Sequence, residues 1–346
     1  MGRISKSVGA IIVGRIKLIS ETAWHHDGDF YFFKELVSTI AKETKADYIK
    51  FHVTLNVNEY MHKDHPGYNW VKNSIFSESQ WVEIINITTH HDKKPMLLFN
   101  DTKAIDFGMK LDPELVEIHS TCLNDVKLLR HLKANLKLDT KVVLGIGGTD
   151  LYEVENAIQT IGTENVILMH GFQNYPTKYE DINFLKVKRI MELFPQYKHG
   201  YADHTAWNHE HNILITLLGA SLGMDYIEKH VTISTGEGKT DWQAAINIET
   251  FIKLTEMLNI VEETYGNGYL KLNEGEKAYS TFGIMKKAAI LIHDIRIGDK
   301  LKLEHLSFKR TDQQSDLSQL DVLNIIGKTV RRNLLSGHCV NRNDFK

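Results

Sequence analysis

The chain has 346 residues, 42% of them hydrophobic and 25% charged, with a formal net charge of -3. That length carries one large domain or two, and the composition belongs to an ordinary globular protein rather than a disordered one. The interspersed, nearly balanced charge leaves no footprint for nucleic acid or an anionic membrane surface, and no apolar run approaches the length of a membrane span. Cys122 and Cys339 form neither a disulfide framework nor a zinc spacing, and residues 1–7 lack a signal peptide's apolar region, so a reducing cytoplasm is expected. Eighteen histidines direct attention to metal or proton-transfer chemistry.

An apolar run at 4–13 reads as a hairpin closing the bottom of the fold. Behind it, β-branched and apolar runs predict strands over 16–21, 48–52, 96–100, 115–119, 142–145, 166–171, 199–204 and 225–230. Helical periodicity fills the intervals at 30–45, 78–91, 103–109, 124–136, 151–161, 182–194 and 207–222, and a last helix covers 248–265. Eight strand-then-helix units predict an α/β fold, a (β/α)8 TIM barrel, with an open doubly wound sheet as the alternative. From 267 to 277 the chain turns polar and Gly-containing, as a linker does. A small β-rich unit follows, with strands at 288–292 and 306–310 and a short helix at 317–326. At that size it is marginal alone and should pack on the barrel or on a second chain.

Barrel enzymes place their chemistry at the C-terminal ends of the strands. Here those ends carry Glu21, Lys50 and His52, Asn100 and Asp101, Glu117 and His119, the turn Gly145-Ile-Gly-Gly148, His170, Gln173 with Tyr175, Asp203 and His204, and Glu228 and His230. Acids, amides and imidazoles at equivalent positions predict one convergent polar cavity. His204 and His230, ending consecutive strands, suit one divalent metal. His25, His26, His52, His119 and His170 read as pocket wall or satisfied core groups. Lys50 with Glu117 makes either a structural ion pair or, partly desolvated, a Schiff-base lysine.

Several stretches resemble the sialic acid synthase family, which includes bacterial N-acetylneuraminate, legionaminate and pseudaminate synthases. They are Ile19-Ser-Glu21 with His25-His-Asp-Gly28, Ala46-Asp-Tyr-Ile-Lys50, Asn174-Tyr-Pro-Thr177, Gly200-Tyr-Ala-Asp-His-Thr205 and Ile227-Glu-Lys-His230. The tail from Lys286, with Ile295-Arg-Ile-Gly-Asp299 and Ile326-Gly-Lys328, resembles the small antifreeze-like (SAF) domain. The resemblance implies a barrel over 1–270, a linker over 271–284 and an SAF domain over 285–346. It implies a transferase that condenses phosphoenolpyruvate with an N-acylated amino sugar to a nine-carbon keto acid and phosphate, in surface-carbohydrate biosynthesis. It implies a divalent metal, usually Mn2+ with Co2+, Mg2+ or Zn2+ as alternatives, held by His204 and His230. Glu21 would handle protons or water, Lys50 would bind phosphoenolpyruvate, and Tyr175 and Asp241 would contact the sugar. The partners implied are the sugar and keto-acid substrates and a second copy of the chain, a domain-swapped homodimer whose tail lends Arg310 to the sugar pocket.

The phosphate-binding half departs from that pattern. Val116-Glu-Ile-His-Ser-Thr-Cys122 stands where the family has Tyr-Lys-Ile-Gly-Ser-Gly-Glu, so a phosphate-binding lysine becomes Glu117 and a sugar-touching glutamate becomes Cys122. Asn100-Asp-Thr102 replaces Ser-Thr-Pro, Gly145-Ile-Gly-Gly148 replaces Ser-Thr-Gly-Met, Gln173 replaces an Asn and Ala202 a Ser. Of the donor set, Lys50 and Ser120 remain; the altered contacts His52, Asp101, Glu117 and Gln173 are expected to face the substrate with them. A carboxylate beside a buried phosphate repels it. Alternatives to the synthase are therefore a metal-dependent aldolase or lyase on an acidic sugar, without phosphoenolpyruvate, and a non-catalytic sugar-binding homologue.

Overall fold

The computed structural model describes residues 15–171, 174–236 and 238–346; the hairpin expected at 4–13 and the Gln173 contact lie outside them. Eight strands follow in order: β1 Lys17–Glu21, β2 Tyr48–Val53, β3 Lys94–Phe99, β4 Leu115–Ile118, β5 Lys141–Gly145, β6 Val166–Gly171, β7 Lys198–Asp203 and β8 Tyr226–Thr232. Each pairs in parallel with the next, and β1 pairs back onto β8 from Lys17 opposite Tyr226 to Glu21 opposite His230. That closing ladder makes the sheet a TIM barrel and rules out the open doubly wound sheet. A two-residue strand, β9 Ile246–Asn247, adds to the end of β8.

The strands are buried on both faces, as a sheet wrapped by helices requires. Outward residues such as Phe51, Leu97, Val116, Leu144 and Ile227 meet the helices in one large core. The helices start where the sequence supplies a cap: Asp29, Ser77, Asp125, Asp150 and Asn247 each accept a backbone N–H of the first turn.

Three local features differ from the sequence expectation. The helix expected at 182–194 breaks at Asn183, whose left-handed backbone (φ 51°) ends Tyr179–Ile182 and caps Phe184–Leu193. The helix after β7 begins at Asn212 rather than 207. The β2–β3 connection holds two short helices, Val57–Tyr60 and Tyr68–Ser74, too short to show a helical period in sequence.

Chain contacts divide the protein into Met1–Gly268 and Tyr269–Lys346. The second unit has an antiparallel pair, β10 Ala288–Leu291 with β11 Leu306–Lys309, over its own core of Leu291, Leu301, Val322 and Val340. A short helix, Glu274–Ala278, forms within the segment read as a linker. Among the described residues no helix is long and apolar enough to cross a membrane.

Candidate active site

Alternation along the strands stacks the barrel interior in layers. The lowest is apolar, with Ile19, Tyr48, Leu115 and Tyr226. Two residues onward on the same four strands stand Glu21, Lys50, Glu117 and Glu228; two further on stand His52, His119 and His230. His204 joins them just beyond β7. Together with Trp24, Tyr60, Asn100, Ser120, Tyr175 and Asp241 these side chains line a cavity of about 300 Å³.

Lys50 is the hub of the charged layer. Its Nζ lies 3.1 Å from Glu21 Oε1, 2.9 Å from Glu117 Oε2 and 2.9 Å from Glu228 Oε1, with all four side chains buried. Burial alone would drive the ammonium to lose its proton, but Glu117, Glu21 and Glu228 together raise its pKa well above the ordinary lysine value. The 2.9 Å approach of Lys50 Nζ to Glu117 Oε2 is the geometry of the ion pair, one of the two sequence readings of this lysine. Burial also works against the Glu21 charge, yet Lys50, His230 and His52 outweigh it and hold that carboxyl well below its usual range. Glu228 goes the other way: burial and the neighbouring Glu21 charge push it well up. Burial raises Glu117 as well, against the pull of Lys50. One buried cation thus sits among three carboxyl groups whose proton affinities are pushed apart, Glu21 down and Glu117 and Glu228 up.

Above this layer the Glu21 carboxylate reaches two imidazoles: His230 Nε2 lies 3.0 Å from Oε2 and His52 Nε2 lies 2.7 Å from Oε1. His204 stands beside His230, their ring centroids 4.8 Å apart. Ligand atoms of Glu21, His204 and His230 all fall within 4.8 Å of one another, and all three residues are buried. This is a donor set that fits a divalent ion of the imidazole- and carboxylate-binding kind. His204 is prepared for that role: burial, then His230, lowers its pKa to about 3, so the ring is neutral. Its Nδ1 lies 3.1 Å from the Ala202 carbonyl, where an N–H at Nδ1 leaves Nε2 as the ring's acceptor.

Aromatic side chains form another part of the wall. The Tyr175 hydroxyl donates to the Asp241 carbonyl, and Asp241 Oδ2 accepts from the Trp24 N–H at 3.2 Å. Tyr175 also packs on both His204 and His230. Trp24 stands edge-on to His52 and Trp70. Gly145 lets the β5 end approach β4, because a Cβ there would lie 2.8 Å from the Ser120 nitrogen.

Of the residues singled out in sequence, Glu21, Lys50, His52, Glu117, Ser120, Tyr175, His204, His230 and Asp241 line one cavity. Asp101 does not, and its expected substrate contact is corrected here: its carboxylate accepts the backbone N–H groups of Leu55, Asn56 and Ala104, and Asn100 faces the cavity instead. Arg310 is exposed in the second unit, its Nε donating to the Ile284 carbonyl at 2.8 Å. His25 is fixed between Thr232 and Thr240, His26 packs on Phe33 and Phe76, and the His170 ring bonds His199. Sequence reading placed Glu228 among the strand-end groups of the cavity without assigning it a specific role, and it passed over Trp24. The signal for Glu228 was present, since Glu228-x-His230 repeats the spacing of Lys50-x-His52 and Glu117-x-His119.

A model of the NeuB family matches residues 36–269. The N,N'-diacetyllegionaminic acid synthase of Legionella pneumophila is 26% identical over 341 residues, covering 92% of each chain. Among solved structures, a putative spore coat polysaccharide biosynthesis protein E from Chromobacterium violaceum superposes with a TM-score of 0.81 at 17% identity, over 96% of this chain and 99% of that one. The N-acetylneuraminic acid synthetase of Leptospira borgpetersenii, solved with citrate, gives a TM-score of 0.70 at 22% identity, over 77% of this chain and 90% of that one.

Proposed function

This chain belongs to the NeuB family, and we propose that it joins a three-carbon acid to the aldehyde of an amino sugar, forming a nonulosonic acid at a divalent metal held by Glu21, His204 and His230. The observation that carries this reading is that triad, buried at the mouth of the barrel and opening on the cavity that Lys50 and Tyr175 also line. The metal, Mn2+ in the first instance, supplies Lewis-acid polarisation of the aldehyde oxygen when bound. The chain's own groups do the rest. Lys50 fixes Glu21, Glu117 and Glu228 as one rigid floor. Glu21 orients His52 through Oε1, which places an imidazole Nε2 where a proton can be held or passed on. Tyr175 and Asp241, locked to each other and to Trp24, form the wall against which the sugar is positioned. Arg310 would come from a second copy of the chain, as the family resemblance implies.

The resemblance implies phosphoenolpyruvate as donor. The carboxyl groups around Lys50 favour a second reading, an aldol-type enzyme whose donor carries no phosphate. Both readings share one test. Protein loaded with Mn2+ is given 2-acetamido and 2,4-diacetamido hexoses with either phosphoenolpyruvate or pyruvate, and nine-carbon 2-oxo acids are sought by mass spectrometry. A product that disappears, together with bound metal, in His204→Ala supports the assignment. Metal-loaded protein that forms no such acid from either donor removes it.

A further inference from the structure

The donor half of the cavity has a geometry that specifies its ligand further. An ammonium has three N–H donors. Lys50 Nζ donates to Glu228 Oε1 at 2.9 Å and lies within ion-pair distance of Glu117 Oε2 at 2.9 Å and Glu21 Oε1 at 3.1 Å. Lys50 is also the one Lys or Arg among the described residues lining the cavity, against four carboxyl groups, Glu21, Glu117, Glu228 and Asp241. A phosphate dianion placed there would compete with three carboxyl groups for that one ammonium and would lie against the Glu117 side chain. The neutral groups nearby, Asn100, Ser120 and Thr121, offer hydrogen bonds but no charge. A buried dianion there needs compensating cations that this lining supplies only through Lys50, whereas a single carboxylate needs far less compensation.

We propose that the donor subsite takes a 2-oxo acid monoanion of the pyruvate type and selects against its phosphorylated enol. This inference rests on the family reading above and names the donor class for the same site. The reaction is then an aldol addition. A C3–H bond of the 2-oxo acid breaks, its proton passing to a cavity imidazole. The electron pair forms the bond from C3 to the aldehyde carbon, and the aldehyde oxygen takes up a proton. No water is consumed and no phosphate released.

Calorimetric titration of the full, Mn2+-loaded chain with pyruvate and with phosphoenolpyruvate tests the proposal. Pyruvate should bind at least about tenfold more tightly, a difference of about 1.4 kcal/mol. Glu117→Lys should reverse the order of the two ligands. Glu117→Gln, which keeps the shape of the side chain, should narrow the ratio and guards against a misfolded lysine variant. Tighter binding of phosphoenolpyruvate by the unaltered chain, or phosphate released in step with product, overturns the proposal while leaving the synthase reading intact. If the metal binds but neither acid does, both fall.

Discussion

Lys50 is buried with three carboxyl groups around its ammonium, and that arrangement makes the cation a structural requirement as well as a site residue. Lys50→Met should lose about 3–5 kcal/mol at neutral pH, the usual result of leaving buried charges unpaired. The sign of its pH dependence follows from Glu21. Although burial opposes it, the Glu21 pKa is held well below the ordinary value, so its contribution is present above the unfolded carboxylate pKa and is lost as pH falls through the folded one. The stability gap between Lys50→Met and the parent, measured by urea unfolding, should therefore shrink as pH falls below about 4. A gap that is constant between neutral pH and acid would show that the cluster is not held by that charge. At this scale much was legible. Lys50, His204 and His230 could be picked out as strand-end groups before any coordinates. Asp101 could not be told from Asn100, because which of two adjacent polar residues turns inward depends on where the strand ends.

Elements are tied together at the opposite end of the barrel by Glu114, just before β4. It accepts from Tyr48 of β2 at 2.8 Å and Lys141 of β5 at 2.8 Å, and it pairs with Lys94 of β3. Burial would raise this carboxyl, but hydrogen bonds from Lys141, Lys94 and Tyr48 prevail and bring it from 4.5 to about 2. A depressed carboxylate stabilises the fold above its unfolded pKa and stops doing so as pH falls through the folded value. Thermal stability should accordingly drop between about pH 4.5 and 2, and Glu114→Gln should be less stable near neutrality with a flatter profile across that window. Equal slopes for the two proteins would sink the assignment. Alternation also explains Lys229, which lies between Glu228 and His230 but faces the helix layer. There its Nζ meets Asp203 at 2.6 Å, with both side chains fully buried. The Glu-Lys-His motif thus contributes two residues to the cavity and one to the packing of β7 against β8.

For the whole molecule, the proposal that Arg310 reaches the sugar from a second copy gives a complementation test. His204→Ala and Arg310→Ala chains, each impaired alone, should regain activity when refolded together, because mixed dimers hold one site with both groups intact. No recovery, with dimers verified by sedimentation, would assign Arg310 to its own chain or to no site. Two-unit organisation supports treating the tail separately, since the residues from Tyr269 onward have their own core.

The sequence by itself determined the repeating strand–helix order, the alternation that sets Lys50-x-His52, Glu117-x-His119 and Glu228-x-His230 on one face, and the family pattern in its motifs. These are local properties, set by a period of two and by capping chemistry. Tertiary structure alone decided the closure of β1 on β8, which brings Glu21 opposite His230. It decided that three carboxyl groups from three strands converge on one ammonium, and that Glu21 stands with His204 and His230 as a third potential metal ligand. Those relations span the chain from residue 21 to residue 230. They depend on strand register and barrel closure, long-range quantities that no local pattern encodes.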